Sequence, residues 1–207
     1  MAEVVTKTYR DNSGTINQCD IYRDLEFIEY AKEDGDCIEV SKIIFPLAIV
    51  LTQACDLQQD HNARKRINAD SQGNQDKFLI SVIVAPIYNF EEFRLGTHLE
   101  QLGLKMEVKG RRDKSLCTNI IKNENKRFHY LNFDKDVEIV ESVIDFKHYF
   151  TVTVNYLYSI REEKYVCSIE SLYRELILQR FANFLSRIGL PEPAEDSKQD
   201  ETQQDNK

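Results

Sequence analysis

Residues 43–51 read IIFPLAIVL, and residues 78–86 read FLISVIVAP. Each run is almost wholly apolar and is too short for a typical helix. Such runs are typical of strands buried on both faces, and Pro46 stands near the start of its run, where a strand tolerates it. The two runs therefore predict a sheet at the centre of the molecule.

The flanking patterns predict further strands. Residues 21–30 fit either a strand or a short helix, and the Asp34-Gly35-Asp36 turn that follows favours the strand. Residues 149–160 read YFTVTVNYLYSI and alternate polar with apolar side chains, which indicates a half-exposed strand. The predicted class is α+β and mostly β, a small barrel with inserted helices.

Two helices are predicted. Asn89 is a residue type that caps a helix, and the short helix after it closes near Gly103. Over residues 171–188 the apolar side chains recur at a spacing of about 3.6 residues, which predicts a C-terminal amphipathic helix. Gly189 and Pro191 follow directly and are suited to end it.

The chain of 207 residues fits a single domain. We expect a loose N-terminal arm over residues 1–20 and one barrel-like domain over residues 21–190. Within that domain, residues 58–76 are mostly polar and predict a long loop. Residues 191–207 have almost no apolar side chains and predict a disordered acidic tail.

The formal net charge of −8 excludes a protein that coats nucleic acid by bulk positive charge. Five cysteines without a CxxC pair, and histidines without a metal-binding spacing, indicate neither a disulfide framework nor a metal or cofactor site. No apolar run is long enough for a signal peptide or a membrane span, so we expect a cytoplasmic protein without membrane contact.

Residues 52–56 read TQACD and follow the first apolar strand directly. Functional side chains often lie where a rigid strand gives way to a loop. Cys55 is a candidate nucleophile with His61 as its base, and Asp56 could serve as a base, with Thr52 and Gln53 in support. The alternative is a small buried cysteine followed by an ordinary turn.

The charge is distributed unevenly. Between residues 104 and 127 there are eight basic and three acidic side chains, a local net charge of +5, directly before three aromatic rings. Basic and aromatic side chains together are what single-stranded nucleic acid needs for phosphate contact and base stacking. The predicted nucleic-acid contacts are Lys109, Arg111, Arg112, Lys114, Lys126, Phe128 and Tyr130.

Catalysis on a phosphodiester needs a base and a cation that stabilises the phosphate. His129 and Asp56 are the candidate bases, and Arg127 is the candidate cation. Asp145 and His148 are close enough in sequence to pair, with the carboxylate orienting the imidazole. The alternative for the basic run is a solvated face, and the alternative for Asp145 and His148 is a polar turn between two strands.

The strand arrangement resembles the PemK/MazF-type toxins, which are small SH3-like β-barrels that cut RNA. The resemblance covers roughly residues 35–160 and rests on the Gly35-Asp36 turn, FPLAIVL at residues 45–51 and Val84-Ala85-Pro86. In that family an arginine precedes the first proline, and a threonine or serine follows the second. Here Phe45 and, approximately, Ile87 or Tyr88 stand there, so the family's catalytic residues are not carried over.

Two segments, VLTQACDL at residues 50–57 and YRELILQRFANFLSRIGLP at residues 173–191, also resemble recurring pieces of an uncharacterised bacterial protein group. This resemblance implies no activity, but it draws attention to the TQACD turn and to Arg174, Glu175 and Arg180 on the predicted helix.

Three functions follow as hypotheses. The first is a barrel that interacts with RNA or other single-stranded nucleic acid, as a nuclease-like toxin or a phage-defence component with a non-standard site. The second is a non-catalytic partner subunit of a bacterial defence or toxin–antitoxin complex, docking through the helix at residues 171–188. The third is a cysteine-dependent hydrolase using Cys55.

Overall fold

The computed structural model describes residues 5–69, 75–109 and 114–187. Those residues form one eight-stranded antiparallel sheet and five α-helices, which confirms the α+β class. The strands are β1 (Thr8–Tyr9), β2 (Asp20–Asp34), β3 (Cys37–Val50), β4 (Ser81–Asn89), β5 (Phe128–Leu131), β6 (Ser142–Asp145), β7 (Phe150–Thr153) and β8 (Tyr165–Ile169). The helices are α1 (Ala54–Ala69), α2 (Phe90–Leu95), α3 (Lys114–Ile121), α4 (Val154–Lys164) and α5 (Ser171–Leu185).

The strand order is β1-β8-β2-β3-β4-β6-β5, and β7 pairs with the other part of β4. The predicted central strands β3 and β4 are neighbours, with Val50 opposite Val84. Thr6, before β1, forms a parallel bridge with Phe133, after β5. The two ends of the strand order therefore approach each other, and the sheet curls into a half-barrel.

Both faces of the central strands are covered, which explains the apolar runs. Ile49 belongs to the core cluster that includes Phe181 of α5. Its neighbours Ala48 and Val50 point to the opposite face and belong to the cluster that includes Leu157 of α4. Alternate residues of one strand are thus buried against different helices, so the strand carries no polar face.

The strands β2 and β3 form one long hairpin that turns at Gly35, whose φ is +60°. This confirms the strand favoured for residues 21–30 and the turn predicted after it. Beyond its base the hairpin extends out of the sheet, because β8 pairs with β2 only over residues 20–22 and β4 pairs with β3 only over residues 48–50.

The loose arm predicted for residues 1–20 is wrong for the part that the structure describes. Thr8 pairs with Ile169 of β8, so this segment forms the edge of the sheet. Ile16 and Cys19 are both buried in the core. Strand pairing and buried apolar side chains therefore help to anchor a segment of mostly polar composition.

The polar loop predicted over residues 58–76 is also wrong, because α1 continues to Ala69. The helix lacks an apolar stripe and is held instead by a buried ion pair. The Arg64 Nε atom lies 2.8 Å from an oxygen of Asp60, and Asp60 also accepts the Leu79 N–H at 2.8 Å. Periodicity alone cannot reveal a helix held in this way.

The strand predicted over residues 149–160 ends early, because β7 stops at Thr153 and α4 follows directly. The Thr153 hydroxyl accepts a hydrogen bond from the Tyr156 N–H at 3.2 Å, which caps the helix. The alternation that suggested a strand continues across this cap. A correct strand pattern was therefore extended into a helix.

The two predicted helices are confirmed, with one corrected end. Asn89 caps α2 by accepting the Glu91 N–H at 2.8 Å. The helix ends at Gly96, whose φ is +76°, and not near Gly103. The amphipathic helix is α5. Its predicted end at Gly189 and the predicted acidic tail lie outside the described residues.

Candidate functional site

The TQACD segment forms a fixed turn between β3 and α1. The Thr52 hydroxyl accepts the Ile83 N–H at 2.7 Å, and the Leu51 N–H donates to the Ile83 carbonyl at 2.8 Å. These bonds tie the turn to β4 before α1 begins. Thr52 therefore holds the turn in place, which differs from the support of a catalytic Cys55 or Asp56 that the sequence analysis expected.

The TQACD turn and α5 meet across one groove of about 560 Å³. One wall is the TQACD turn, and the other is the side of α5 that carries Glu175, Leu178 and Leu185. The groove is apolar along α5 and acidic at its mouth. Its lining includes Thr52, Gln53, Cys55, Asp56, Glu175, Leu178, Phe181 and Leu185.

Cys55 is exposed at this groove, but its described neighbours do not activate it. Its Sγ lies 3.5 Å from the Gln53 amide oxygen and 3.7 Å from an Asp56 carboxylate oxygen. A nucleophilic thiolate needs a nearby cation or base rather than oxygen acceptors. His61, the predicted base, instead contacts the Tyr158 hydroxyl at 3.2 Å through Nδ1.

Arg127 lies in a chain of polar groups that the sequence only partly indicated. Its guanidinium donates to both carboxylate oxygens of Asp145, at 2.7 and 2.5 Å. The Nε2 atom of His148 is 3.6 Å from Asp145, which is close but beyond hydrogen-bond distance, so the carboxylate does not orient the imidazole as predicted. The Tyr88 hydroxyl lies 3.0 Å from the other His148 nitrogen.

This row of polar contacts disfavours the catalytic role expected of Arg127. Asp145 is buried and neutralises the guanidinium, so the charge is already used within the fold. Burial lowers the pKa of His148, although the carboxylate of Asp145 opposes that shift. The arrangement holds β5 and β6 to the turn that follows them.

His129, Phe128 and Tyr130 are buried on β5, so the roles predicted for them are wrong. His129 is 4 % exposed, and burial lowers the pKa of its imidazole to about 3. Phe128 packs against the ring of Phe93, and Tyr130 packs against that of Phe90. The two aromatic rings therefore form core, and no base can stack on them.

The predicted basic contacts differ in how free their charges are. Lys126 is exposed, whereas the Lys109 ammonium is 2.9 Å from Glu107 and largely covered. Lys114 is the first residue of α3. Arg111 and Arg112 lie outside the described residues.

A different basic groove was missed. It has a volume of about 390 Å³ and is lined by Lys126, Arg180 and Arg187 together with Asn183 and Ser186. The Arg180 guanidinium also donates to backbone carbonyls, including that of Phe128 at 2.9 Å, which fixes its position. The separation of Lys126 from the two arginines in sequence hid this groove.

A buried ionic network was also missed. Asp20 is fully buried and accepts hydrogen bonds from the Ser168 hydroxyl at 2.5 Å and the Asn17 N–H at 2.8 Å. Arg161 lies 3.3 Å from Asp20 and 2.9 Å from Asp11. Burial raises the pKa of Asp20 to about 7. The network fastens the N-terminal segment to β8 and α4.

A group of exposed apolar side chains lies on the hairpin arm, which we define as residues 25–45. Ile38, Val40 and Ile44 alternate along β3 and point to one face, and Ile28 stands opposite Lys42 on that face. Their exposed fractions run from 48 to 69 %. We call these four residues the arm face.

The arm face continues into a cavity of about 230 Å³, which we call the anchor cavity. Ile44 belongs to both. The other walls come from β4, β6 and the chain around α2 and its following turn. The lining includes Phe45, Pro46, Tyr88, His98, Leu102 and Val140, and the carboxylate-bearing Glu92.

Comparison with family models, curated proteins and solved structures finds no match to this chain. The resemblance to PemK/MazF-type toxins therefore stays a prediction. None of the helices in the described ranges is both long and apolar enough to span a membrane. Across those ranges, His, Cys, Asp and Glu side chains form no group of three that could hold a metal ion.

Proposed function

We propose that this chain is a non-catalytic binding subunit that docks onto a protein partner through the hairpin arm. The main observation behind this proposal is the arm face, where four aliphatic side chains are exposed around Lys42 on one face of a strand pair that leaves the sheet. Isolated exposed apolar residues are ordinary, whereas a contiguous group marks an interaction surface.

The opposite side of the arm shows what the arm face lacks. Phe27 and Phe45 pack against the ring of Phe150, at centroid distances of 5.0 and 5.2 Å. That side is satisfied within the chain and fixes the direction of the arm. Complete burial of a fully exposed large aliphatic side chain contributes about 1.5–3 kcal/mol. The arm-face side chains are 48–69 % exposed, so covering them gains roughly half of that from each.

The arm also offers backbone hydrogen-bonding groups. In the described residues no strand pairs with its outer edges beyond the pairings at its base. An unpaired edge can accept a strand from another chain. The arm carries six acidic and two basic side chains, a net charge of −4. The partner that fits presents apolar side chains within a basic surface.

The test uses purified products of the genes next to this one as candidate partners. We expect one of them to bind the wild-type chain, and the double variant Ile38→Ser/Val40→Thr to weaken binding at least tenfold. The matched control is Leu172→Ser, which changes a residue that is 76 % exposed on α5, away from the arm. Calorimetry gives the affinities, and light scattering gives the oligomeric state.

Equal binding by the wild type and the arm variant would overturn this proposal. Self-association that the arm variant abolishes would assign the arm to a second copy of the chain and would also overturn it. Loss of binding by the Leu172→Ser variant alone would move the interface to α5, the surface expected from the sequence.

The basic groove favours a second candidate, binding of RNA within an SH3-like, PemK/MazF-like barrel. Lys126, Arg180 and Arg187 bring three positive charges to one groove, although the expected stacking rings are buried. Phosphate contact of this kind is independent of sequence and weakens as salt rises. A toxin or defence role belongs with this candidate.

Labelled RNA and DNA at low salt test the second candidate. We expect Lys126→Glu/Arg187→Glu to lose binding, while Lys135→Glu, an exposed lysine after β5, keeps it. Arg180 is left intact because its backbone contacts support the fold. Absence of binding at low salt, or equal binding by both variants, contradicts this candidate.

A further inference from the structure

We infer that the anchor cavity receives an aromatic side chain of the partner, flanked in the partner's sequence by lysine or arginine. This inference rests on the proposed function and names the chemistry that the partner must carry. It draws on the cavity itself, on its continuity with the arm face and on the charge around both.

The size of the cavity selects a ring. A cavity of about 150 Å³ holds benzene, and the anchor cavity has about 230 Å³. It therefore accommodates one aromatic ring with space for the second ring of an indole. Interfaces concentrate their binding energy in such residues, which enter a pocket and lose contact with water.

The walls suit an aromatic guest. Tyr88 and His98 meet edge to face with centroids 4.7 Å apart, and both line the cavity. Burial lowers the pKa of His98 to about 4, so its imidazole is uncharged at neutral pH. Rings pack favourably against other rings in edge-to-face and offset arrangements. Ile44, Leu102 and Val140 complete an apolar rim.

The charge selects the flanking residues. Glu92 lines the cavity and is exposed, whereas Glu26, opposite Ile44 on the adjoining arm, is paired with Lys42. A lysine or arginine beside the aromatic anchor meets the carboxylate of Glu92, and an aspartate or glutamate there is repelled. The occupant is thus an aromatic residue within a basic segment.

The chain contains no tryptophan, which makes the test direct. Excitation at the red edge of the indole band reports only on an added indole. The probes are the acetylated and amidated tripeptides Lys-Trp-Lys, Glu-Trp-Glu and Lys-Ala-Lys, with the last followed by NMR. We expect Lys-Trp-Lys to show a blue-shifted emission and to bind about fivefold or more tighter than Glu-Trp-Glu.

Three variants locate the binding. Val140→Phe places a ring in the mouth of the cavity and should weaken Lys-Trp-Lys binding at least fivefold. Glu92→Gln should reduce the preference for Lys-Trp-Lys over Glu-Trp-Glu. Leu172→Ser, on α5, should bind the probe as the wild type does. Circular dichroism confirms that each variant is folded.

An unshifted emission with the wild type overturns the inference, and so does undiminished binding by Val140→Phe. Equal affinity for Lys-Trp-Lys and Glu-Trp-Glu would contradict the inference that basic residues flank the aromatic side chain. The proposed function is tested separately by Ile38→Ser/Val40→Thr, which changes the arm outside the cavity. Partner binding without tripeptide binding would contradict the role of the anchor cavity and still support docking through the arm. Tripeptide binding without partner binding would contradict docking through the arm.

Discussion

The guanidinium of Arg127 holds the buried carboxylate of Asp145 through two hydrogen bonds, at 2.7 and 2.5 Å. The carboxylate thereby neutralises a basic residue of the positively charged stretch. The side chain of Asp145 is 1 % exposed and that of Arg127 is 31 % exposed. The pair joins β5 to the end of β6, beneath the cluster of Tyr88 and His148.

Arg127→Ala should destabilise the fold by about 3 kcal/mol, because it leaves a buried carboxylate without its cation. Arg127→Lys keeps the charge without the planar fork and should lose less. Urea unfolding followed by circular dichroism measures both. Stability equal to that of the wild type in Arg127→Ala, combined with weaker RNA binding, would show that Arg127 serves a ligand instead.

Stability should fall on acidification because of His129. Its folded-state pKa of about 3 lies below the ordinary value of 6.5, so the unfolded chain binds more protons between these pH values. The free energy of unfolding from this group therefore decreases as pH falls from about 6.5 toward 3, at up to about 1.4 kcal/mol per pH unit.

His129→Phe keeps a ring at this position and removes the titration. Because other carboxylates and histidines also titrate, the comparison is between the two pH profiles of unfolding. We expect the difference between wild type and variant to change across this interval and to be constant above pH 7.5. Parallel profiles would mean that the imidazole of His129 is not buried uncharged.

Thr52 should matter through its hydroxyl rather than its size. Thr52→Val leaves the Ile83 N–H without its acceptor and should cost about 1–3 kcal/mol, whereas Thr52→Ser keeps the acceptor and should cost less. Thermal unfolding of both variants checks this. A larger loss in the serine variant would assign the contribution of Thr52 to its methyl group.

Cysteine alkylation should follow exposure alone. Cys37 and Cys55 are exposed, and Cys19 and Cys167 are buried, with burial raising the pKa of Cys167 to about 12. We expect iodoacetamide at pH 7.5 to label Cys37 and Cys55 at rates within about threefold of each other and to spare the buried pair. Peptide mass spectrometry gives the rates. Labelling of Cys55 more than tenfold faster than Cys37 would restore its candidacy as a nucleophile.

The sequence was informative wherever burial imposed a pattern. The run IIFPLAIVL predicted a central strand because Ile49 and Val50 are buried on opposite faces. Helix α1 was not predicted because it is held by the ion pair of Asp60 and Arg64, and its sequence has no apolar period that would indicate a helix. Asn89 was predicted as a helix cap because capping depends only on residues that are neighbours in sequence. Pairing between residues distant in sequence depends on the fold, so the local sequence did not predict it.

The candidate site was harder because its residues depend on tertiary placement. His61 follows Cys55 by six residues, but the helical path of α1 directs it toward Tyr158. The basic run before β5 and the aromatic residues that begin β5 looked like one surface, yet the strand places Phe128 in the core. The arm face was not predicted because Ile38 and Val40 are ordinary residues for a strand. Their exposure becomes evident only when the structure shows that no described segment packs over them.

The hairpin arm should behave as an appendage whose removal leaves the fold intact. Its outer part, residues 29–41, is replaced by Asn-Gly, a two-residue turn that joins the paired positions Ile28 and Lys42. Phe27 and Phe45 remain on Phe150, so the melting temperature should change by no more than about 3 °C. In the full chain, hydrogen exchange should be faster in the outer arm than in β4, because the arm's edges lack strand partners in the described residues. A shortened chain that unfolds at much lower temperature would show that the arm stabilises the domain, whereas a stable chain that no longer captures the partner assigns the arm to binding.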